Sequence, residues 1–152
     1  MSSVTRNRVE VMHGVNLDML GSRDHDIYGD LTLPELEVRI KRFARDLGLK
    51  AAFFQSNSEG EFVGHLHRLP ERADAALINA GAWTHYSWAI RDALDLTRIP
   101  TVEVHLSDIS KREEWRHHSV FAGLDLIVGQ IYGKGPDGYR EALQLIAEKL
   151  GL

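Results

Sequence analysis

The sequence predicts an α/β protein built on one parallel, doubly wound sheet with helices on both faces. Three observations carry this. Strand-like apolar runs alternate with amphipathic stretches about five times along 152 residues, with no composition shift, low-complexity tract or internal repeat. Such alternation requires right-handed crossovers that lay helices over a parallel sheet. Ala75 to Asn79 is an uninterrupted apolar run up to its final amide, as a strand covered on both faces should be. Finally, a connection from His13 to Tyr28, unusually long for a βα loop, follows the first apolar run. Open α/β sheets bind ligands at that end of a strand.

Taken in order, Arg8 to Met12 is predicted as the first strand. Thr32-Leu-Pro-Glu35 is a capping box, in which hydroxyl and carboxylate each satisfy an orphan amide and Pro34 is tolerated in the first turn. Leu33, Leu36, Ile40, Phe43 and Leu47 recur at helical spacing, and Gly48 supplies the stop. Lys50 to Gln55 reads as the second strand, and Ser58 with Glu61 offers a second capping box for a helix to about Leu69. Ala75 to Asn79 is the third strand, and a helix covers roughly Ser87 to Leu96. Pro100 to Val104 is the fourth strand, a short helical piece surrounds Glu113 to Arg116, and Leu124 to Val128 is the fifth strand. A Gly-rich connection leads to a last helix carrying Tyr139, Leu143, Ile146 and Leu150. A chain this short suits the flavodoxin-like order 2-1-3-4-5, as a single catalytic domain over residues 1–152 with a flexible N-terminal segment over 1–7.

Composition excludes several classes. A net charge of −4 leaves no basic footprint for nucleic acid or an anionic membrane. Zero cysteines remove disulfides, thiolate catalysis and Cys-based zinc sites. No run approaches a membrane span and Met1 to Arg8 lacks a signal-peptide core, so a cytoplasmic location is expected. No G-x-G-x-x-G or P-loop follows any strand, so no cofactor is expected.

In a parallel sheet the loops after strands one, three and four open on one edge. They carry Asn16, Arg23 and Tyr28; Asn79, Thr84, His85 and Ser87; and Glu103, His105, Ser107, Arg112 and Arg116. An amide, a guanidinium and a phenol in one loop can stabilise an oxyanion and move a proton. Glu103 and His105 stand two residues apart on an extended segment, so both side chains point to the same side. The carboxylate can then fix the imidazole's tautomer. Any one of these residues is more often structural: a packed phenol, a strand-end carboxylate, or a solvated face over Arg112, Glu113, Glu114 and Arg116 with weak ion pairs. Convergence of three loops is harder to explain so. His65-x-His67 and His117-His118 lack a third ligand at recognised spacing, and no metal is expected. Trp83, Trp88 and Trp115 read as packing or subunit contacts.

These residues resemble a known family, type II 3-dehydroquinate dehydratase, the small dehydratase of the shikimate and quinate pathways. Gly14-Val-Asn16-Leu, Leu20-Gly-Ser-Arg23 and Tyr28-Gly29 resemble its first signature, and Gln55-Ser-Asn-Ser-Glu-Gly-Glu61 its second. Asn79-Ala-Gly-Ala-Trp-Thr-His85-Tyr-Ser87 through Arg91-Asp-Ala-Leu94 is similar to the third. Glu103-Val-His105-Leu-Ser107 with Arg112-Glu-Glu-Trp-Arg-His-His-Ser119 is similar to the fourth. The resemblance implies a cofactor-free anti elimination of water from 3-dehydroquinate, giving 3-dehydroshikimate through an enolate. It implies Tyr28 as the base with Arg23 favouring its tyrosinate, Asn16 holding a water or the enolate oxygen, and His105, oriented by Glu103, as the acid. Asn79, His85, Arg116 and the backbone at Leu106 and Ser107 would bind the substrate's hydroxyls and carboxylate. It further implies trimers assembled into a homo-oligomer, a dodecamer, in which Asp92 reaches a neighbour's site.

The chain departs from the family pattern at Val15, at Asp24-His25, at Asp108, and in a Gly129-to-Tyr139 segment that looks longer than usual. Two alternatives stand beside this function: the same elimination on an amino-substituted dehydroquinate, and a non-catalytic flavodoxin-like binding module.

Overall fold

Five strands pair in parallel in the order β2-β1-β3-β4-β5, with β1 at Arg8–His13, β2 at Lys50–Gln55, β3 at Ala75–Asn79, β4 at Thr101–His105 and β5 at Ile127–Tyr132. This is the flavodoxin-like order. The computed structural model describes residues 5–22 and 24–152, so part of the expected flexible segment, and Arg23, lie outside the described residues. The helices are α1 (His25–Tyr28), α2 (Leu33–Asp46), α3 (Glu59–Arg72), α4 (Trp88–Thr97) and α5 (Asp137–Lys149).

Alternation along the strands sorts side chains between two cores. Val9, Val11, Leu77, Val102 and Val104 pack with Leu36 and Ile40 of α2 and Leu143 and Ile146 of α5. Met12, Ala76 and Ile78 meet Phe62, Leu66 and Leu69 of α3 and Ile90 and Leu94 of α4 on the opposite face. Because β1 and β3 are neighbours while the chain leaves β1 for β2, the loops after β1 and β3 diverge. A crevice opens between them at the carboxyl edge of the sheet.

Local signals explain most element ends. The α2 capping box is closed in both directions, with the Thr32 and Glu35 amides each 3.4 Å from the other's side-chain oxygen, and Gly48 adopts φ 78° behind the helix. Ser58 caps α3 in one direction only: its hydroxyl accepts from the Glu61 amide at 3.2 Å, but the Glu61 carboxylate turns to the Ser56 hydroxyl at 2.7 Å. The same helix continues past Leu69 to Arg72, carrying Pro70 in its last turn.

Three expectations need correction. The fifth strand begins at Ile127 rather than Leu124, because Leu124 and Leu126 pack against the α3–α4 core from a turn. Strand pairing therefore takes up Gly129 to Tyr132, which had read as connection, and Gly129 leaves room for Leu145 of α5, whose Cδ1 would lie 2.8 Å from a Cβ there. The long connection after β1 is also not plain loop. It folds into a 3-10 turn at Leu17–Met19 with Leu17 and Leu20 buried, followed by α1, which Asp24 caps by accepting from the Asp26 amide at 3.0 Å. Likewise the helical piece near Glu113 is two 3-10 turns, Ile109–Lys111 and Glu114–His117, the first capped by Asp108 through the Ser110 amide at 3.0 Å. Asp24 and Asp108, two of the departures, thus serve as caps.

Candidate active site

The crevice is bounded by loops from three strands and lined by Asn16, Tyr28, Asn79, His85, His105, Leu106, Ser107, Arg112 and Arg116. Backbone contact between the first two loops shapes its floor. The Gly14 amide donates to the Asn79 carbonyl at 2.7 Å, and a Cβ at Gly14 would overlap the Ala80 carbonyl. Gly81 reciprocates: it holds φ 63°, and a Cβ there would sit 2.6 Å from the Val15 carbonyl oxygen. Only glycine combines that φ with that approach at low cost. The pair sets Asn16 and Asn79 on the same crevice. Asn16 itself is left-handed at φ 69°, and its amide donates to Asn57 Oδ1 at 2.8 Å. Gln55 Nε2 braces the same loop through the Gly14 carbonyl at 3.2 Å. The motif after β2 therefore supports the β1 loop from outside, a role its sequence did not disclose.

On β4, His105 Nε2 lies 2.7 Å from Glu103 Oε2, with both residues buried. An ionised carboxylate only accepts, so Nε2 carries the hydrogen of this bond. Burial alone pushes Glu103 up. The donors His105, Gln130 and Ser119 outweigh it and hold the carboxyl below its ordinary range. Across the crevice, the His85 ring stands 6.3 Å from that of His105, and its Nδ1 donates to the His118 carbonyl at 2.6 Å. Burial lowers His85, and the nearby His105 and Arg116 add to this against the opposing pull of the His118 carbonyl. His85 is therefore neutral at neutral pH, with Nε2 as an acceptor.

Tyr28 is the one tyrosine that lines the crevice. Its hydroxyl receives a hydrogen bond from Arg112 Nη1 at 2.7 Å, and the guanidinium carbon lies 5.0 Å from the ring centroid. The guanidinium is a fixed, permanently charged donor and the phenol oxygen its acceptor. Tyr139, buried beside the Asn79 side chain, is pushed up to about 12, chiefly by burial. It stays neutral. By sequence Arg112 falls in the loop after the fourth strand with no role assigned to it, and the family resemblance gives Tyr28 Arg23 as its partner, which lies outside the described residues.

Of the remaining expected residues, Arg116 borders the crevice, pairs with Glu113 at 2.5 Å and stacks over Trp115 at 4.1 Å. The Leu106 and Ser107 carbonyls accept from Gly135 and Gly133 at 3.2 and 3.0 Å, pinning the backbone that borders the crevice. Asp92 is exposed on α4 and does not line the crevice of its own subunit. His65 faces Glu10 at 2.5 Å inside the α3 side of the sheet, and no group of three metal-ligating side chains exists among the described residues. Trp83 is buried, whereas Trp88 and Trp115 are about half exposed. No helix among the described residues is long and apolar enough to cross a membrane.

Fold and site together define a flavodoxin-like α/β protein whose strand-end crevice is bordered by a phenol held by a guanidinium and an imidazole held by a carboxylate. The family model described as dehydroquinase class II matches residues 7–147. The chain is 51% identical over 137 residues to the 3-dehydroquinate dehydratase of Syntrophotalea carbinolica, covering 90% of this chain and 91% of that one. It is 48% identical to the 3-dehydroquinate dehydratase of Thermotoga maritima, covering 94% and 96%. The crystal structure of the type II dehydroquinase from Propionibacterium acnes superposes with a TM-score of 0.88 at 39% identity, covering 96% of this chain and 99% of that one. The chain belongs to the dehydroquinase class II family.

Proposed function

We propose that the protein removes water from 3-dehydroquinate to give 3-dehydroshikimate, in an anti elimination that needs no cofactor and passes through an enolate. One observation carries the reading: a phenol held by a guanidinium, Tyr28–Arg112, and an imidazole held by a carboxylate, His105–Glu103, border one crevice from different loops. Elimination across two adjacent carbons needs such a base and such an acid.

The Tyr28 oxygen takes the proton from the carbon beside the ketone, and that electron pair moves onto the ketone oxygen. Asn16 holds the resulting enolate oxygen, directly or through a water, in a setting organised before the reaction begins. As the enolate collapses, the carbon–oxygen bond breaks and the departing hydroxyl takes a proton from His105 and leaves as water. The cycle closes when Tyr28 gives up its proton and His105 regains one. Arg112 stabilises the tyrosinate, and the family resemblance adds Arg23 to that task. Asn79, His85, Arg116 and the Leu106–Ser107 backbone hold the substrate's hydroxyls and carboxylate. An arginine and backbone amides suit a carboxylate.

In keeping with the family resemblance, the subunits form trimers that assemble into a dodecamer, with Asp92 completing a neighbour's crevice. The reaction serves the shikimate or quinate pathway in the cytoplasm. The product is a conjugated enone, so ultraviolet absorbance rises when the protein is mixed with 3-dehydroquinate. Binding without an absorbance change overturns the reading in favour of a non-catalytic module. A response confined to an amino-substituted ring reassigns the substrate.

A further inference from the structure

Glu103 accepts three side-chain hydrogen bonds, and only one comes from a residue of the proposed reaction. Its Oε2 takes His105 at 2.7 Å, while its Oε1 takes Ser119 Oγ and Gln130 Nε2, each at 2.8 Å. The two outer donors come from different elements. Ser119 is buried in the segment that follows the Glu114–His117 turn, and its hydroxyl also accepts from the Phe121 amide at 3.2 Å, which leaves its hydrogen for the carboxylate. Gln130 lies on β5 directly opposite Glu103 in register and is exposed, while its side-chain amide reaches the buried carboxylate. Behind the carboxylate, Glu103, Ser119 and Gln130 share a second cavity with His117 and His118, separate from the Tyr28 crevice.

We propose that Ser119 and Gln130 are positioning residues for the acid step: together they occupy Oε1, so that Oε2 alone faces His105 and holds the imidazole toward the crevice. This rests on the reading of His105 as the general acid. A carboxylate with one free oxygen can rotate or trade acceptors, and the imidazole it orients then samples unproductive positions. Two donors, one on β5 and one in the segment after the Glu114–His117 turn, remove that freedom. They also stabilise the ionised form, because hydrogen bonds to a carboxylate favour its charge. The charged or titratable groups around Glu103 are His105 on its own strand, His85 beyond β3, Arg116 beside His85, His117 and His118 of the rear cavity, and Tyr132 of β5, which lines the same cavity. From α4, Arg91 turns away and donates to the Val120 and Ala122 carbonyls. Opposite Glu103 on β3 stands uncharged Ile78. Removing either outer donor therefore raises the pH at which Glu103 takes up a proton.

The test is the pH dependence of kcat and KM for Ser119→Ala, Gln130→Ala and Ser119→Thr in the intact protein, with thermal melts alongside. Gln130→Ala sits at an exposed position, so it tests the proposal even if Ser119→Ala folds poorly. The expected result is a fall in kcat of about tenfold in each alanine variant, comparable to the loss of one modest transition-state contact. KM should stay within about twofold of wild type, the acidic limb of the kcat profile should move to higher pH, and Ser119→Thr should restore both. Alanine variants with wild-type kcat and an unmoved acidic limb overturn the proposal. So does a lowered melting temperature with lost activity but no shift of the limb, since that is the signature of a purely structural role. His105→Ala separates the two readings: if it keeps its turnover, the assignment of the acid fails first. If it is inactive while the Ser119 and Gln130 variants behave as wild type, only the present proposal fails.

Discussion

Arg112 Nη1 donates to the Tyr28 hydroxyl at 2.7 Å across 84 positions of sequence, joining the loop after β1 to the loop after β4. The bond sets a permanently charged donor on the Tyr28 oxygen at the border of the crevice. Tyr28→Phe is expected to lower kcat by at least about a thousandfold, within the range a positioned base contributes. Substrate affinity should fall only modestly. Arg112→Lys keeps a charge but loses the planar fork, and a loss of about ten- to a hundredfold in kcat is expected. Steady-state absorbance kinetics checks both, and Tyr28→Phe retaining activity within about tenfold rules out the phenol as base.

The His105–Glu103 pair leads to a second expectation. His105→Ala should lose most turnover, about two to four orders of magnitude, while calorimetry still detects substrate binding. Near-normal turnover in that variant removes His105 from the role of acid.

Glu103 also makes stability depend on pH. Its folded-state value lies below its ordinary 4.5 because His105, Gln130 and Ser119 donors outweigh the burial cost. A depressed folded value means that the contribution to stability is complete above 4.5 and is lost as pH falls toward the folded value. Melting temperature should therefore drop as the pH falls below 4.5. In Glu103→Gln the drop should be smaller, while stability at pH 7 falls by about 1–3 kcal/mol, since an amide cannot accept at both ends. An identical pH slope in the two proteins contradicts this account.

Gly81 combines φ 63° with a position where a Cβ would meet the Val15 carbonyl at 2.6 Å. Gly81→Ala should destabilise by more than about 1 kcal/mol, because its φ and the Val15 carbonyl are both incompatible with a Cβ. It should also lower kcat, because the strained backbone carries the loops of Asn16 and Asn79. Denaturant titration and kinetics on the same sample check this, and unchanged values in both dismiss the contact as unimportant.

Asp92 is exposed on α4 and absent from its own crevice. If it completes a neighbour's site, Asp92→Ala and Tyr28→Phe proteins should each be impaired, yet regain activity when co-refolded, because mixed trimers contain crevices with both native residues. Light scattering that shows a fully active monomer refutes the assembly.

Several features follow from the amino-acid sequence by itself. The Leu33-to-Leu47 periodicity between Thr32 and Gly48 specifies α2, and its capping box is closed as written. The apolar run of β3 and the regular alternation of elements determine a parallel sheet, and the Glu103–His105 spacing places both side chains on one face. These are local signals: periodicity and capping act over a few residues and need no partner. Other features were decided only by tertiary structure. Leu124 and Leu126 have the composition of a strand, but the core accepts them from a turn, so β5 starts later. Glu61 abandons its own helix end for Ser56 once both are brought together. Arg112 meets Tyr28, and Ser119 and Gln130 meet Glu103, because the 2-1-3-4-5 order brings loops distant in sequence to neighbouring strand ends. A residue type announces what chemistry it can do. Which partner it does it with depends on strand order and on the close approach of two loops at Gly14 and Gly81, where backbone packing leaves no room for a side chain.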